Sequence, residues 1–294
     1  KEIIEQGKNV TSYLRKRFNI ATNAPETEII EIAYDLQAGS YIKDLIANRD
    51  ERMLYVKEIE SILSKFINDK TTLLDIGTGE LTTLTLILNE MSVMPKKVLA
   101  FDLSWSRLIR GKDFYKQNII NSNLDVSIFV ADIKNIPLQS KCIDVITSAH
   151  ALEPNAQNLS SLIKELFRIA KKKLILFEPS YELNSDSGKK RMDELGYVKG
   201  IQSTVEKLGG SIVEIIPLKN VDKNNPTACY IIDPPTSNLN EYDEDPVFCI
   251  PGTNYKLEYS DNFLSSKETG LVFPVLRNIP ILKNKYGILA TANF

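Results

Sequence analysis

The sequence predicts a doubly wound α/β fold with a mainly parallel seven-stranded sheet, preceded by helices and followed by a small β-rich domain. Between residues 71 and 233, seven short apolar runs alternate with stretches of helical periodicity. Such alternation is typical of a parallel sheet that helices cover on both faces. Residues 1–70 show helical periodicity only, and residues 247–294 carry short strand-like pieces between polar turns.

The N-terminal segment, residues 1–70, is predicted to be helical and to act as a lid. Apolar residues recur at three- and four-residue steps between Ile29 and Leu36. Pro25 suits the first turn of a helix, and Gly39 suits its end.

The central domain, residues 71–233, contains the predicted strands. They are Thr72–Ile76, Lys97–Phe101, Val126–Val130, Val145–Ser148, Leu174–Phe177, Ile212–Ile216 and Ala228–Ile232. Helical patterns fill most of the gaps, and the clearest are Leu159–Ala170 and Ser187–Leu208.

A polar, proline-bearing stretch at residues 234–246 predicts a linker. The C-terminal domain, residues 247–294, is predicted to be small and β-rich, with strand-like pieces at Tyr255–Tyr259 and Leu271–Leu276.

Charge and cysteine usage limit the class of protein. The formal net charge of -2 provides no strong positive field for a nucleic-acid backbone. The basic run Lys171–Lys173 is interpreted as a solvated helix end. Cys142, Cys229 and Cys249 lack the spacing of a disulfide framework, and no apolar run reaches the roughly 18 residues of a membrane span. We expect a cytoplasmic protein without membrane insertion, and the oligomeric state stays open.

The strongest motif is a strand that ends in an acid and two glycines, Asp75-Ile76-Gly77-Thr78-Gly79. Glycines at a strand-to-helix turn let the backbone bend sharply and approach a ligand closely. The ligand then lies at the carboxyl edge of the sheet, near a helix N-terminus.

Two further strands also end in an acid. Asp102, followed by Leu103, can accept both hydrogen bonds of a ribose diol. Asp132 can hold an adenine amino group, with Ile133 against the ring face. A single acid of this kind is more often a helix cap, but three in succession favour a nucleotide-like ligand.

These residues resemble the class I S-adenosylmethionine-dependent methyltransferases over roughly residues 30–232. The stretch Ser148-Ala149-His150-Ala151-Leu152-Glu153 also resembles that family. The resemblance implies S-adenosylmethionine as cofactor, with Asp75–Gly79 against its methionine part and Ser148 and His150 near its sulfonium. It assigns the ribose to Asp102 and the adenine to Asp132 and Ile133. Two positions depart from the pattern, since Leu81 and Pro154 replace a glycine and a histidine.

Tyrosines before the first strand often form a lid in this family. Tyr34, Gln37 and Tyr41 are therefore candidate cofactor contacts. The alternative is a helix end with aromatic packing.

Candidate catalytic and acceptor-binding groups follow the fourth and fifth strands. His150, the only histidine, and Glu153 are candidate general bases, or else they pack against the cofactor and cap a turn. Three residues are candidate acceptor contacts: Asn155, Tyr181 and Glu182.

The C-terminal stretch resembles the small zinc-ribbon-like activator subunit of tRNA, rRNA and release-factor methyltransferases. Its aromatic-Pro and Ile-Pro-x-Leu tail is present, but only Cys249 remains of four metal positions, with Gly252, Ser266 and Thr269 at the others. One thiolate cannot hold a tetrahedral zinc ion, so we expect no metal. The segment is either a built-in activator, a wall of the acceptor pocket, or a cap on an exposed face or sheet edge.

Four functions stay open at this point. A methyltransferase with a small-molecule acceptor, a hydroxyl or amine, fits best, and an RNA or protein acceptor is the alternative. A nicotinamide oxidoreductase is disfavoured because Thr82 stands where a third glycine or alanine is usual. The last is a non-catalytic scaffold with a vestigial cofactor site.

Overall fold

A computed structural model describes residues 26–121, 124–222, 225–236 and 245–293. The predicted helix start at Pro25 lies outside these ranges. The large sheet contains the strands β1 (Thr72–Ile76), β2 (Lys97–Asp102), β3 (Val126–Val130), β4 (Ile143–Ala149), β5 (Ala170–Pro179), β6 (Ser211–Pro217) and β7 (Thr227–Asp233).

Helices precede this sheet and cover it. They are α1 (Glu26–Leu36), α2 (Ser40–Ala47), α3 (Arg49–Leu63), α4 (Thr82–Glu90), α5 (Trp105–Asn118), α6 (Leu159–Ile169), α7 (Asp186–Leu195) and α8 (Ile201–Lys207). In the described part of the chain, no helix is both long and apolar enough to cross a membrane.

The strand order is β3-β2-β1-β4-β5-β7-β6, with β7 antiparallel to both of its neighbours and the other pairs parallel. Strand β1 is central and buried along its whole length, with Leu73 beside Val98 of β2 and Val145 of β4. Two apolar clusters, one on each face of the sheet, form the core. The predicted doubly wound, mainly parallel fold is confirmed.

The predicted helix Ser187–Leu208 is wrong in one respect, because it is broken into α7 and α8. Gly196 adopts a left-handed φ of 68°, and its N–H donates to the Asp193 carbonyl at 3.2 Å. The next amide, of Tyr197, bonds the Met192 carbonyl at 2.9 Å. This glycine-based C-cap satisfies the last carbonyls and ends the helix. Strands β4 and β5 are also longer than predicted.

The C-terminal segment forms a small antiparallel sheet of β8 (Glu258–Tyr259), β9 (Phe263–Ser266), β10 (Leu271–Leu276), β11 (Ile279–Pro280) and β12 (Ile288–Leu289). Leu271–Leu276 is a strand as predicted, whereas only the last two residues of the predicted strand Tyr255–Tyr259 are in one. The small sheet packs on the large one, since Leu264 and Phe273 belong to the same apolar cluster as Phe129 of β3. Phe248, which precedes the small sheet, lies 5.1 Å from Phe129 between ring centroids.

The C-terminal segment also reaches the edge strand β3. Ile281 lies beside Val130 in a parallel bridge, and the Leu282 N–H donates to the Val130 carbonyl at 2.8 Å. The end of the chain therefore continues the large sheet past β3, at its carboxyl edge.

Candidate functional site

A cavity of about 1010 Å³ opens at the carboxyl edge of the large sheet, beneath α1, α2 and α3. This volume is at the upper end of the range for ligand sites, about 300–1,000 Å³. Most of the residues predicted from the sequence line it, namely Tyr34, Tyr41, Asp75, Gly77, Thr78, Gly79, Asp102, Leu103, Asp132, Ile133, Ser148, His150, Glu153 and Asn155.

The glycine turn after β1 forms the floor of this cavity. Gly77 has a φ of +64°, and a Cβ atom added there would lie 2.5 Å from the Ala151 Cβ. Gly79 has a φ of +58°, and its N–H donates to the Asp102 Oδ2 atom at 3.0 Å. Leu81, at the position where the family has glycine, keeps the left-handed conformation with a φ of 56° and is buried. Position 81 therefore has the left-handed backbone conformation that glycine favours, although its residue is leucine.

Asp102 is almost fully buried between the glycine turn and α5. Its Oδ1 atom accepts from the Ser104 N–H at 2.8 Å. Burial raises the pKa of Asp102, while the charge of Arg107 and the backbone donors oppose this rise. Each carboxylate oxygen has more than one acceptor position, so the group retains capacity for a ligand diol.

Asp132 and Asp75 stand on either side of Asp102 along the sheet edge. The Asp132 Oδ1 atom accepts from the Lys134 N–H at 2.9 Å, which fixes the turn after β3. Burial raises the pKa of Asp75 to about 7. The structure brings all three strand-end acids to one cavity, as the sequence predicts.

Arg107 and Glu80, which the sequence interpretation did not single out, hold α1, α2 and the turn between them in place. The Arg107 guanidinium carbon lies 4.5 Å from the ring centroids of both Tyr34 and Tyr41, and its Nε–H donates to the Tyr34 carbonyl at 3.1 Å. The fully buried Glu80 accepts from the N–H groups of Gly39, at 2.7 Å, and Ile42. The only sequence signal for Glu80 is a charge beside the glycine turn.

His150 lies at the opposite end of the cavity, directly after β4, with a strained φ of +62°. Its Nδ1–H donates to Glu153 Oε2 at 2.7 Å, and its Nε2 atom is 3.1 Å from Thr227 Oγ1. The Thr227 hydroxyl also lies 3.2 Å from the Asn225 carbonyl, so its one proton serves either that carbonyl or the His150 Nε2 atom. Because the Glu153 carboxylate accepts, the Nδ1 atom carries a proton in either case.

The pKa shifts of His150 and Glu153 favour the charged form of each side chain. Burial lowers the pKa of His150, but the hydrogen bond and charge of Glu153 outweigh it and leave the pKa raised. Burial would raise the pKa of Glu153, yet hydrogen bonds from His150, Tyr197 and Asn225 hold it below its usual range. These shifts favour an ion pair between the two side chains, which are partly exposed to the cavity.

Glu178 at the end of β5 lies behind His150 and has no exposed surface. Its Oε1 atom accepts from the Ser148 hydroxyl at 2.7 Å and from the Leu152 N–H at 3.1 Å. Burial raises its pKa to about 7. The sequence interpretation missed Glu178, although an acid that ends an apolar strand was available as a signal.

Three buried polar atoms near the ion pair have no hydrogen-bond partner among the residues that the structure describes. They are Tyr55 Oη, Glu178 Oε2 and Asn225 Oδ1. Tyr55 and Asn225 line the cavity. Unpaired buried polar groups are uncommon, and they are typical of sites that a ligand completes.

Three candidates do not line the cavity: Gln37, Tyr181 and Glu182. Gln37 lies in the turn between α1 and α2. The Tyr181 hydroxyl donates to Asp193 at 3.2 Å, and Glu182 accepts from the Gly200 N–H at 3.3 Å. The loop after β5 therefore turns toward α7 and α8, and Glu178 is the group from this strand end that lies near His150.

Comparisons with known proteins agree with this fold. Residues 74–177 match the family described as "Methyltransferase domain". No curated protein sequence matches the chain.

Among solved structures, one similar chain comes from a complex between the Haloferax volcanii Trm112 methyltransferase activator and a proposed methyltransferase. It is 14% identical with a TM-score of 0.54, and the match covers 69% of this chain and 98% of that one. Another is magnesium protoporphyrin IX methyltransferase from Synechocystis PCC 6803 with bound S-adenosylmethionine, 11% identical with a TM-score of 0.53, covering 72% and 99%. At these identities the likeness shows a methyltransferase fold.

Proposed function

We propose that the chain is an S-adenosylmethionine-dependent methyltransferase that methylates a hydroxyl or amine of a small molecule. The observation that carries this proposal is a single cavity that is continuous from the strand-end acids to the His150–Glu153 pair. Its volume of about 1010 Å³ accommodates a nucleoside-sized cofactor and a second small molecule together.

The residues at the sheet edge fit the cofactor. The glycine turn is a cradle that the Cβ of any other residue at position 77 would fill, and the buried Asp102 carboxylate lies beside it. Asp102 would hold the ribose, Asp132 and Ile133 the adenine, and the Asp75–Gly79 turn the methionine part. When bound, the sulfonium supplies an activated methyl group.

The far end of the cavity favours an acceptor that donates hydrogen bonds. Among the residues that the structure describes, the Asn225 Oδ1 atom, which lines the cavity, has no donor, and the Tyr55 hydroxyl has no partner. Each such group costs about 1–3 kcal/mol when it is left unsatisfied. Hydroxyl and amine groups provide the missing donors, whereas a carboxylate or phosphate would not.

Proton removal from the acceptor falls to the groups around His150. His150 can act as a base only in its neutral form, with the Nε2 atom unprotonated. Because the pKa of His150 is raised, a base role predicts activity that increases with pH above the ordinary histidine range. Glu153 would keep the ring in place through the Nδ1 atom, and an acceptor hydroxyl would replace Thr227 at the Nε2 atom.

The test is calorimetric titration with S-adenosylmethionine, S-adenosylhomocysteine and NADH. We expect micromolar binding of the two sulfur ligands, loss of this binding in Asp102→Asn, and no binding of NADH. Asp113→Asn, an exposed position on α5, is the matched control and should bind like the wild type. A folded wild-type protein that binds neither sulfur ligand would exclude the proposal and favour a scaffold, whereas NADH binding would favour an oxidoreductase.

An RNA or protein acceptor is the second candidate, supported by the C-terminal resemblance to the activator subunit. The solved structure from Haloferax volcanii, which contains such an activator, is consistent with it. Incubation with tritiated S-adenosylmethionine and separated cell fractions distinguishes the two, because label in small metabolites supports the first candidate and label in RNA or protein supports the second.

A further inference from the structure

The tail segment, which we define as residues 279–286, reaches the adenosine end of the cavity. The bridge between Ile281 and Val130 and the bond from Leu282 N–H fix its register on β3. Lys283 therefore lies at the carboxyl edge of the sheet, where Asp102 and Asp132 also lie.

Lys283 joins the tail segment to two parts of the proposed cofactor site. Its side chain is only 6% exposed, and its ammonium lies 2.5 Å from Glu31 Oε1 and 3.4 Å from the Leu103 carbonyl. Leu103 follows the proposed ribose-binding Asp102 and lines the main cavity. Glu31 belongs to α1, the lid helix that also carries Tyr34.

Glu31 has further partners in the same segment. The Lys285 ammonium lies 2.8 Å from its Oε2 atom, and the Tyr286 hydroxyl is 3.4 Å from its Oε1 atom. One turn further along the same face of α1, Asp35 accepts from the Ser104 hydroxyl at 2.9 Å. The lid helix is thus held at two points, one on the tail segment and one on the loop after β2.

A second cavity of about 240 Å³ marks the same junction. It lies between α1, the tail segment and the loops after β2 and β3, and Leu103 and Asp132 line it. The main cavity and this smaller one share both of those residues. A movement of the tail segment would therefore change the surroundings of Leu103 and Asp132 at the adenosine end of the site.

We propose that Lys283 is a positioning residue that holds α1 closed over the cofactor cavity, so that the tail segment controls how fast the cofactor leaves. The inference rests on the proposed function. Lifting α1 removes Glu31 from a buried ammonium, and a buried charge without its partner is strongly unfavourable. The closed lid and the bound cofactor therefore stabilise one another, and this coupling acts in both directions.

The first test is hydrogen exchange of the free protein and of Lys283→Met, which keeps the buried aliphatic stem but removes the charge. We expect peptides within residues 28–41 to exchange about tenfold faster in the variant, corresponding to ~1.4 kcal/mol of local opening. Peptides of β1 and β4 should not change. The matched control is Lys267→Met, which removes an exposed ion pair with Glu258 in the small sheet.

The second measurement is the dissociation rate of S-adenosylhomocysteine. Lys283→Met and Glu31→Gln should each raise this rate about tenfold, and the double variant should raise it less than the product of the two. Unchanged exchange of α1 and an unchanged dissociation rate would overturn the inference. Faster exchange throughout the large sheet would also overturn it, since it would mean a general loss of stability.

The two proposals fail in different ways. If wild-type protein does not bind S-adenosylhomocysteine, the proposed function fails, while the exchange of α1 still decides whether Lys283 holds the lid. If the wild type binds and Lys283→Met releases the ligand at the same rate, only the role of Lys283 is wrong.

Discussion

The imidazole of His150 is bonded to Glu153 through an Nδ1–Oε2 contact of 2.7 Å, three residues along the chain and directly after a buried strand. The short spacing explains how the contact forms, because the chain turns back immediately after β4. The left-handed backbone of His150 makes that turn possible. The strain is thus coupled to an ion pair in the cavity wall.

We expect the pKa of His150 to lie above its ordinary value of 6.5 and to fall below that value in Glu153→Gln. The substitution removes the charge that favours the imidazolium, while burial, which opposes it, remains. Because His150 is the only histidine, NMR titration of its ring protons measures the pKa without assignment. Glu182→Gln, outside the cavity, is the control, and equal pKa values in the wild type and Glu153→Gln would refute the ion pair.

We expect the free energy of unfolding to decrease as pH rises from about 4.5 to about 7, in part through Glu178. Its pKa is raised from 4.5 to about 7 in the folded state, so the folded protein binds the proton more tightly than the unfolded chain. The stabilisation is complete below the unfolded value and is lost as pH passes the folded one. In Glu178→Gln, the pH-dependent part of the free energy of unfolding should decrease by on the order of 3 kcal/mol. Urea unfolding at a series of pH values measures it, and a profile identical to that of the wild type would contradict it.

We expect Gly77→Ala to abolish cofactor binding, whereas Gly196→Ala leaves it intact. Both glycines have similar positive φ values, 64° and 68°, so both substitutions carry a conformational cost of about 1 kcal/mol. At position 77 the new Cβ would also lie 2.5 Å from the Ala151 Cβ, whereas at position 196 no described atom lies within 4 Å. Calorimetry measures cofactor binding by the two variants, and thermal unfolding measures their stability. The comparison separates the steric clash at position 77 from the cost of a positive φ, which both variants share. Equal binding by the two variants would show that the turn tolerates a methyl group.

We expect Tyr55→Phe to stabilise the free protein slightly and to reduce methyl transfer. The Tyr55 hydroxyl is buried without a partner in the described ranges of the chain, so its removal should raise the free energy of unfolding by about 1 kcal/mol or leave it unchanged. If the hydroxyl contacts the acceptor, the KM for the acceptor increases while cofactor affinity stays constant. Tyr115→Phe is the contrasting variant, because that hydroxyl donates to the Leu124 carbonyl at 2.6 Å and its loss should destabilise. A large loss of stability in Tyr55→Phe would refute the interpretation.

The residues at the cofactor end of the site could be predicted from the sequence because they lie at the ends of predicted strands. Asp75, Asp102 and Asp132 each follow an apolar run, and the parallel topology brings such ends together without any knowledge of side-chain packing. The seven strands could also be predicted, because each one is recognised from the pattern of its own consecutive residues.

The acceptor end could not be predicted in the same way, since it depends on contacts between distant parts of the chain. Thr227 is the first residue of β7, which pairs antiparallel in the sheet, and it reaches His150 across 77 positions. Tyr181 and Glu182 follow β5 and were expected in the cavity, but the loop turns away after Pro179. Glu31 and Lys283 are 252 positions apart, and neither has a local pattern that indicates the other.

The bridge between Val130 and Ile281 also bears on how the molecule behaves toward other chains. Strand β3 is the outer strand of the large sheet, and open edges invite pairing with strands of other molecules. Where the chain's own end occupies the Val130 carbonyl, a strand arriving from outside must first displace Ile281 and Leu282. Residues 281 and 282 therefore block strand addition at this edge. A partner strand that docks there must bind more strongly than this segment, which the fold keeps at a high local concentration.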